Sequence, residues 1–371
     1  MNQNIMKKYF FPADSKKRKT GIRLAGIALT ALLLVSAFAW SAGLIGQRNT
    51  TRTFLENTPD SFPAGYRRAH GKGICFEGTF HASGNAVPLS IAQVFGQKDV
   101  PAVGRFSLGT GNPHAPDNSS RTVSMALMLT SADGEQWRMK LNNKPFFGTR
   151  DAVGFLKQIE AFKPDPTTGK PNPEKVAAFL KEYPEAKKSM EYDAKAPWTK
   201  SFAGSEYYVI NAFLLIDSNG KEHPVRWSMR PHAPFVSMSA EERKKAGPNY
   251  LFDELKKRLE KAPLYWDLVL TIAEPGDPVN DPSQQWPANR KQIIAGTLEV
   301  NRVFDQAEGG CRDINFDPTL VPKGIALSDD PVLAARAGIY SHSYNDRVRE
   351  IGYGKATDAV GKPKKDNSQN K

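Results

Sequence analysis

Hydrophobic and polar residues alternate with a period of two along much of the chain after residue 70. In the clearest run, Val123, Met125, Leu127 and Leu129 place four apolar side chains on one face of an extended segment. Eight segments show such a pattern. The sequence predicts a strand in each of them: 74–82, 103–109, 122–131, 136–142, 206–217, 223–230, 265–274 and 293–304.

Turn residues join two pairs of these strands. An Ala-Asp-Gly turn at 132–134 separates the third strand from the fourth, and an Asp-Ser-Asn-Gly turn at 217–220 separates the fifth from the sixth. Both pairs are predicted hairpins. Eight antiparallel strands can close into a barrel filled by side chains, so we expect an α+β fold: an eight-stranded antiparallel β-barrel with helices packed outside it. A period near 3.6 predicts these helices at 151–162, 174–183, 249–262 and 331–351.

One apolar run differs from this alternation. Residues 24–46 contain no charged residue, and the preceding segment, 1–23, has seven Lys or Arg against one Asp. About 20 apolar residues span a bilayer as a helix, and a positive flank keeps its own end in the cytoplasm. We therefore expect a single N-terminal transmembrane helix in the cell membrane, with the rest of the chain on the periplasmic, extracytoplasmic side.

The alternative for this run is a signal peptide cut near Ala37, Ala39 or Ala42, which would release the protein into the periplasm. The run is longer than the usual apolar region of a signal peptide, about 7–15 residues, and this length favours the uncleaved anchor.

Composition and charge exclude several classes of protein. The 371 residues are 40% hydrophobic, which is enough for a large core and excludes a disordered or fibrous chain. The net charge of +12 is concentrated in two tails, 1–23 and 355–371, which carry +6 and +3 and leave +3 for the body. A nucleic-acid-binding surface needs its basic residues on the folded part, so no nucleic-acid partner is expected.

The expected organisation follows from these boundaries: a basic cytoplasmic tail at 1–23, the anchor or signal segment at 24–46, a folded domain at 47–354 and a flexible Lys-rich tail at 355–371. The chain has two cysteines, Cys75 and Cys311, too few for a disulfide scaffold or a cysteine-ligated zinc site. An extracytoplasmic setting permits one bridge between them, but two buried free thiols are the expectation.

The last predicted helix carries residues suited to iron chemistry. It begins at an Asp-Asp-Pro cap, 329–331, and carries Arg336, Tyr340, Tyr344 and Arg347 on one face. A cation one turn before a tyrosine favours the phenolate, and a phenolate can bind haem iron. By itself, this pattern also fits an amphipathic surface helix.

Three other segments carry polar residues near the strands. His70 follows Arg67 by three residues and precedes a Gly-Lys-Gly turn into the first strand; alone, it fits an ordinary surface histidine. Arg-Phe-Ser at 105–107 lies in the second strand, and Asn-Asn-Lys-Pro-Phe-Phe at 142–147 follows the fourth.

In this combination the chain resembles the haem catalases, and in particular their short, exported relatives, the catalase-related peroxidases. The matches follow the family's order over about residues 55–353. The family's distal Arg-x-x-His is matched by Arg67 and His70, and its Asn-Asn-x-Pro-x-Phe-x-x-Arg-Asp by residues 142–151. A Phe-Asp-Pro loop at 316–318 precedes the ligand signature Arg-x-x-x-Tyr, which is Arg336 and Tyr340.

The resemblance implies a role for each matched residue around haem b, iron protoporphyrin IX. Tyr340 would bind the iron as a phenolate that Arg336 keeps ionised. On the opposite face, His70 would be the acid–base group, Asn142 would orient the peroxide and Ser107 would hydrogen-bond the histidine. The other cofactor-binding residues would be three arginines at the propionates and two aromatic residues beside the haem: Arg67, Arg105, Arg347, Phe147 and Phe155.

The resemblance also implies an activity, namely reduction of hydrogen peroxide or organic peroxides with a small organic donor, with weak catalase activity. Two alternatives remain open: a fatty-acid hydroperoxide isomerase or dehydratase on the same fold, and a non-catalytic haem carrier or sensor. After Tyr340 the chain departs from the family's usual Pro-Asp-Thr-His-Arg-His-Arg. The arm and C-terminal lobe that lock the family's tetramer have no counterpart in the sequence, so a monomer or dimer is expected.

Overall fold

The computed structural model describes residues 13–41, 63–308, 310–356 and 359. The expectations for the start of the basic tail, the end of the apolar run and most of the Lys-rich tail fall outside these residues. The chain divides into two compact units, Met1–Arg52 and Thr53–Lys371.

The first unit contains helix α1, Ala13–Ser41. Its stretch Gly21–Ala39 has a mean hydropathy of 2.1 and no buried side chain. The helix is therefore long and apolar enough to cross a membrane, and a signal sequence near the N-terminus meets the same criteria.

The second unit contains twelve strands, eight of which form a closed antiparallel barrel. In chain order the strands are β1 (Gly73–Ala82), β2 (Asp99–Leu108), β3 (Val123–Thr130), β4 (Gln136–Asn142), β5 (Trp198–Thr199), β6 (Tyr207–Tyr208), β7 (Phe213–Ile216), β8 (Glu222–Pro231), β9 (Ser237–Met238), β10 (Leu264–Ile272), β11 (Gln292–Asp305) and β12 (Ile325–Leu327). Around the barrel the order is β10-β11-β1-β2-β3-β4-β6-β8, and the pairing of β8 with β10 closes it. The predicted eight-stranded barrel is confirmed.

Six helices accompany the barrel among the described residues of this unit: α2 (Ala152–Phe162), α3 (Pro173–Glu182), α4 (Glu185–Lys195), α5 (Ala240–Lys245), α6 (Tyr250–Leu259) and α7 (Pro331–Gly352). Four of them match the predicted helices within a few residues. The sequence prediction missed α4 and α5 because neither has a continuous apolar face. Helix α5 has no buried residue and is held by a capping box between Ser239 and Glu242.

The alternation that predicts the strands directs apolar side chains into the barrel. Met125 and Leu127 of β3 and Trp137 and Met139 of β4 are buried in one continuous core. Burying a side chain of this size contributes about 1.5–3 kcal/mol. The residues between them point outward, yet several polar ones, such as Lys140, are buried as well. The outer face of these strands is therefore covered by other parts of the chain.

The predicted fifth strand, 206–217, is interrupted. Strands β6 and β7 are separated at Asn211, a fully buried residue. Its Nδ2 donates to Oδ2 of Asp330 at 2.7 Å, and its Oδ1 accepts from Nη1 of Arg336 at 2.6 Å. Because these bonds tie Asn211 to α7, the alternation breaks here, and only β6 belongs to the barrel wall. Strand β7 instead extends the sheet between β8 and β12.

Cys75 and Cys311 form a disulfide, so the expectation of free thiols is wrong. The register of β1 places Cys75 on the outer face of the barrel, beside Arg105 of β2. A 3₁₀ turn, Gly310–Asp313, packs onto that face and brings Cys311 into contact. Both cysteines are buried in a small cluster with Phe316. The pairing depends on a contact across 236 residues of sequence, which no local pattern reveals.

Candidate active site

The outer faces of β1 to β4 form the floor of the site. Strand register aligns their outward side chains in two rows, the first being Gly73, Ser107, Ser124 and Asn142, and the second Cys75, Arg105, Ala126 and Lys140. A Cβ on Gly73 would lie 2.3 Å from the guanidinium carbon of Arg105. Glycine is therefore required at the point where Arg105 crosses β1.

His70 lies immediately before β1 in a strained backbone conformation. Its φ of 59° is the only positive value of a non-glycine residue in the described part of the chain. Such strain is often found at functional sites. The Nδ1 atom lies 2.9 Å from the carbonyl oxygen of Leu108. Because a carbonyl only accepts, Nδ1 carries the proton and Nε2 is left free to act as a base.

Burial holds the imidazole of His70 in its neutral form. It lowers the pKa of His70 well below the usual value, and the positive charges of Lys140, Arg105 and Arg67 lower it further, while the Leu108 carbonyl acts in the opposite direction. A neutral histidine with a free Nε2 is the form that can accept a proton from a substrate.

The hydroxyl beside His70 belongs to Ser124. Its Oγ lies 3.2 Å from Nδ1 of His70 and donates to Oδ1 of Asn142 at 2.6 Å. The expected hydrogen bond from Ser107 to His70 is not present in the described part of the structure; Ser107 is buried one strand away, in the same row. Sequence reasoning missed Ser124 because its place beside Asn142 depends on the register of β3 against β4.

Helix α7 carries the predicted iron ligand. Asp330 caps it by accepting from the backbone nitrogens of Val332 and Leu333, and Pro331 is its first residue. One face of the helix presents Arg336 and Tyr340 together, as the sequence predicts. Nη2 of Arg336 donates to the hydroxyl oxygen of Tyr340 at 3.0 Å.

Three buried arginines surround the space between α7 and the barrel. Arg67 donates to the carbonyl oxygens of Cys311 at 3.0 Å and Ile314 at 2.8 Å. Arg105 donates to the carbonyl oxygen of Gly71 at 2.9 Å and to the side chain of Gln306. These hydrogen-bond partners are neutral, and the carboxylate of Asp313 acts on Arg67 only through its charge.

Arg347 is a buried cation with an incomplete set of hydrogen bonds, although the charge of Asp313 acts on it. It is 2% exposed, and its Nε and Nη2 have no hydrogen-bond partner within the described residues. Burial lowers its pKa to about 10 and, together with the charge of Arg347, lowers the pKa of Arg105 to about 9. Buried guanidinium groups of this kind fit an anionic ligand. The two propionates of a haem would provide such anions.

The barrel residues around His70 and the residues around Tyr340 of α7 share one space. The charges of Arg347, Arg105 and Tyr340 all act on Arg67, and that of Arg336 acts on Lys140. The two predicted aromatic residues also lie together, with the rings of Phe147 and Phe155 separated by 5.0 Å between centroids. The structure thus brings the histidine, the asparagine, the tyrosine and the arginines to one side of the barrel.

The catalase family model matches residues 63–363, well over half of the chain. This chain belongs to the catalase family. It is 37% identical to a catalase-related peroxidase of Synechococcus elongatus over 90% of this chain and 99% of that protein. It is 33% identical to a catalase-related peroxidase of Mycolicibacterium paratuberculosis over 76% of this chain and 90% of that one.

Longer relatives share the same core. A catalase of Pseudomonas aeruginosa is 26% identical over 78% of this chain, which spans 58% of that protein. The solved structure of a bacterial catalase superposes with a TM-score of 0.66 at 24% identity, covering 85% of this chain and 62% of that one. This superposition supports the fold. The similarity to the two catalase-related peroxidases supports a peroxidase-type oxidoreductase, and the cluster of three arginines near Tyr340 fits the haem that catalase-family proteins bind.

Proposed function

We propose that this chain is a haem b peroxidase that reduces hydrogen peroxide, or an organic peroxide, with a small organic donor and has weak catalase activity. The observation that carries this proposal is that the structure brings two groups of polar residues to one side of the barrel. A neutral His70 hydrogen-bonded through Ser124 to Asn142 lies on the barrel, and Tyr340 bonded to Arg336 lies on α7. The names of the two catalase-related peroxidases support the peroxidase activity.

Each residue has a task in this mechanism. Tyr340 would hold the iron, and Arg67, Arg105 and Arg347 would bind the propionates through charge-assisted hydrogen bonds. The bound haem supplies the iron at which the peroxide O–O bond is cleaved. Phe147 and Phe155 would contribute an apolar wall.

The proton moves through the barrel residues. Nε2 of His70 would accept a proton from one oxygen of the peroxide and return it to the other, the proton transfer that the departure of water requires. The amide NH₂ of Asn142 donates to the peroxide and holds it within reach of Nε2. The Leu108 carbonyl and Ser124 keep the proton on Nδ1, so Nε2 remains the base.

We also propose that the folded domain acts outside the cytoplasm, anchored by α1, as a monomer or dimer and without nucleic acid. The disulfide between Cys75 and Cys311 supports this location because such bonds persist in oxidising compartments. Helix α1 supports export as either an anchor or a cleaved signal.

The test is an assay of the detergent-solubilised full chain loaded with haem. Hydrogen peroxide is supplied with and without a phenol or aromatic amine, and donor oxidation and oxygen release are both recorded. We expect peroxide consumption coupled to donor oxidation, with little oxygen release. Rearrangement of a fatty-acid hydroperoxide without donor consumption would identify the isomerase or dehydratase instead. Stable haem binding without any of these reactions would identify a carrier.

A further inference from the structure

Lys140 is a buried lysine in the second row of the floor. It is 8% exposed, and its Nζ donates to Oδ1 of Asn142 at 2.9 Å and to the carbonyl oxygen of Leu141 at 3.3 Å. Within the described part of the chain it forms no ion pair. The charges that act on it come from α7, β2 and the segment before β1, and all are positive: Arg336, Arg105 and Arg67. Burying an amine among like charges costs stability, so a role in folding does not account for it.

The amine determines which way the amide of Asn142 faces. Its oxygen receives two hydrogen bonds, from Lys140 and from Ser124. A protonated lysine only donates, so the amide atom beside it is the oxygen. The NH₂ group is thereby directed away from the floor, and it has no acceptor among the described residues.

The orientation of this amide also fixes the direction of the hydrogen bonds that lead to His70. Because Oδ1 of Asn142 accepts, the hydroxyl of Ser124 donates to it and presents a lone pair to Nδ1 of His70. If the amide turned over, its NH₂ would donate to Ser124, and its oxygen would face the site. Ser124 alone cannot prevent this, because a hydroxyl both donates and accepts. The second donor, Lys140, excludes the reversed arrangement.

We propose that Lys140 is a positioning residue of the peroxide site, which locks the amide of Asn142 so that its NH₂ faces the substrate. The proposal rests on the proposed function, because it concerns the same site. It concerns the protonated form of Lys140, because a neutral amine could also accept from the amide NH₂. Its consequence is that Lys140 acts on the peroxide only through Asn142.

A double-mutant cycle tests this dependence in the haem-loaded full chain. The variants are Lys140→Met, Asn142→Ala and their combination, with the exposed Lys98→Met as a matched control. Two quantities are measured for each: the second-order rate constant with hydrogen peroxide, and the dissociation constant for cyanide read from the haem spectrum. A hydrogen bond from a charged donor is worth about 1.5–3 kcal/mol, so Lys140→Met should weaken each quantity by about tenfold to a hundredfold at unchanged haem content.

The combined variant distinguishes positioning from a general structural effect. We expect Lys140→Met to add less than about twofold once Asn142 is alanine, because coupled residues are non-additive. The proposal is overturned if the fold-losses of the two single variants multiply in the double variant. It is also overturned if the Lys140→Met protein behaves as wild type. Lys140→Leu is run in parallel, because it removes the same donor with different packing. If the wild-type protein binds haem and cyanide without reducing peroxide, the proposed function fails, while the cyanide cycle still tests Lys140.

Discussion

Arg336 donates a hydrogen bond to the hydroxyl oxygen of Tyr340, one turn further along the same helix, at 3.0 Å. The other arm of the guanidinium donates to Asn211, the residue that interrupts the fifth predicted strand. Arg336 is therefore fixed from both sides. The guanidinium therefore fixes the position of the Tyr340 hydroxyl oxygen, the atom that we propose as the iron ligand.

Replacing Tyr340 by phenylalanine is expected to abolish stable haem binding. The variant keeps the ring and its packing but loses the hydroxyl oxygen proposed to bind the iron. The measurement is haem per chain after gel filtration, together with the visible spectrum. Tyr353→Phe is the control, because Tyr353 lies at the end of the same helix and is 74% exposed. Full haem retention with an unchanged spectrum in Tyr340→Phe would show that another residue binds the iron.

Replacing His70 by alanine is expected to leave haem binding intact and to slow the reaction with peroxide. Acid–base catalysis by a positioned histidine contributes about 10²- to 10⁴-fold to a rate, so a loss of that size should appear in stopped-flow measurements. His232→Ala is the control, because His232 is an exposed histidine that is paired with Asp267. A His70→Ala protein as fast as wild type would rule out the assignment of the base.

The rate constant with peroxide is expected to stay constant down to an unusually low pH. Burial, with the charges of Lys140, Arg105 and Arg67, lowers the pKa of His70 well below 6.5. The neutral form is the base, so activity should stay constant as the pH falls through 6.5 and decline only below it. The free energy of unfolding should begin to fall near pH 6.5, because the unfolded chain takes up the proton there, and should continue to fall down to the lowered pKa of the native state. A rate that halves at or above pH 6.5, measured in buffers of constant ionic strength, would contradict this.

The barrel and most of the site could be predicted from the sequence because they depend on local patterns. Alternation gives the strands, and motifs of a few residues place His70, Asn142 and Tyr340. Ser124, Lys140 and the disulfide could not be predicted in this way. Each depends on which residues of neighbouring strands lie side by side, or on a turn that returns to the sheet from far along the chain. Register and long-range packing are tertiary properties that no single segment encodes.

Removing the disulfide is expected to weaken both the fold and the haem site. A Cys75→Ala, Cys311→Ala protein should lose about 2–5 kcal/mol of unfolding free energy, the usual cost of losing a native bridge. The bridged turn also supplies carbonyl oxygens that hold Arg67, at 3.0 and 2.8 Å. Haem should therefore dissociate faster from the variant. Denaturant unfolding and transfer of haem to apomyoglobin measure the two effects, and unchanged values for both would contradict the prediction.

The topology of the chain gives the last prediction. Basic residues before the apolar run outnumber those just after it, seven in 1–23 against Arg48 and Arg52, so the N-terminus should stay in the cytoplasm. Protease added to cells stripped of any outer envelope should digest the folded domain and spare the N-terminus. An anchored protein should stay with the membrane in high salt and keep Met1 by mass spectrometry. A soluble product beginning near residue 40 would establish a cleaved signal and leave the haem site unaffected, because every site residue lies beyond residue 66.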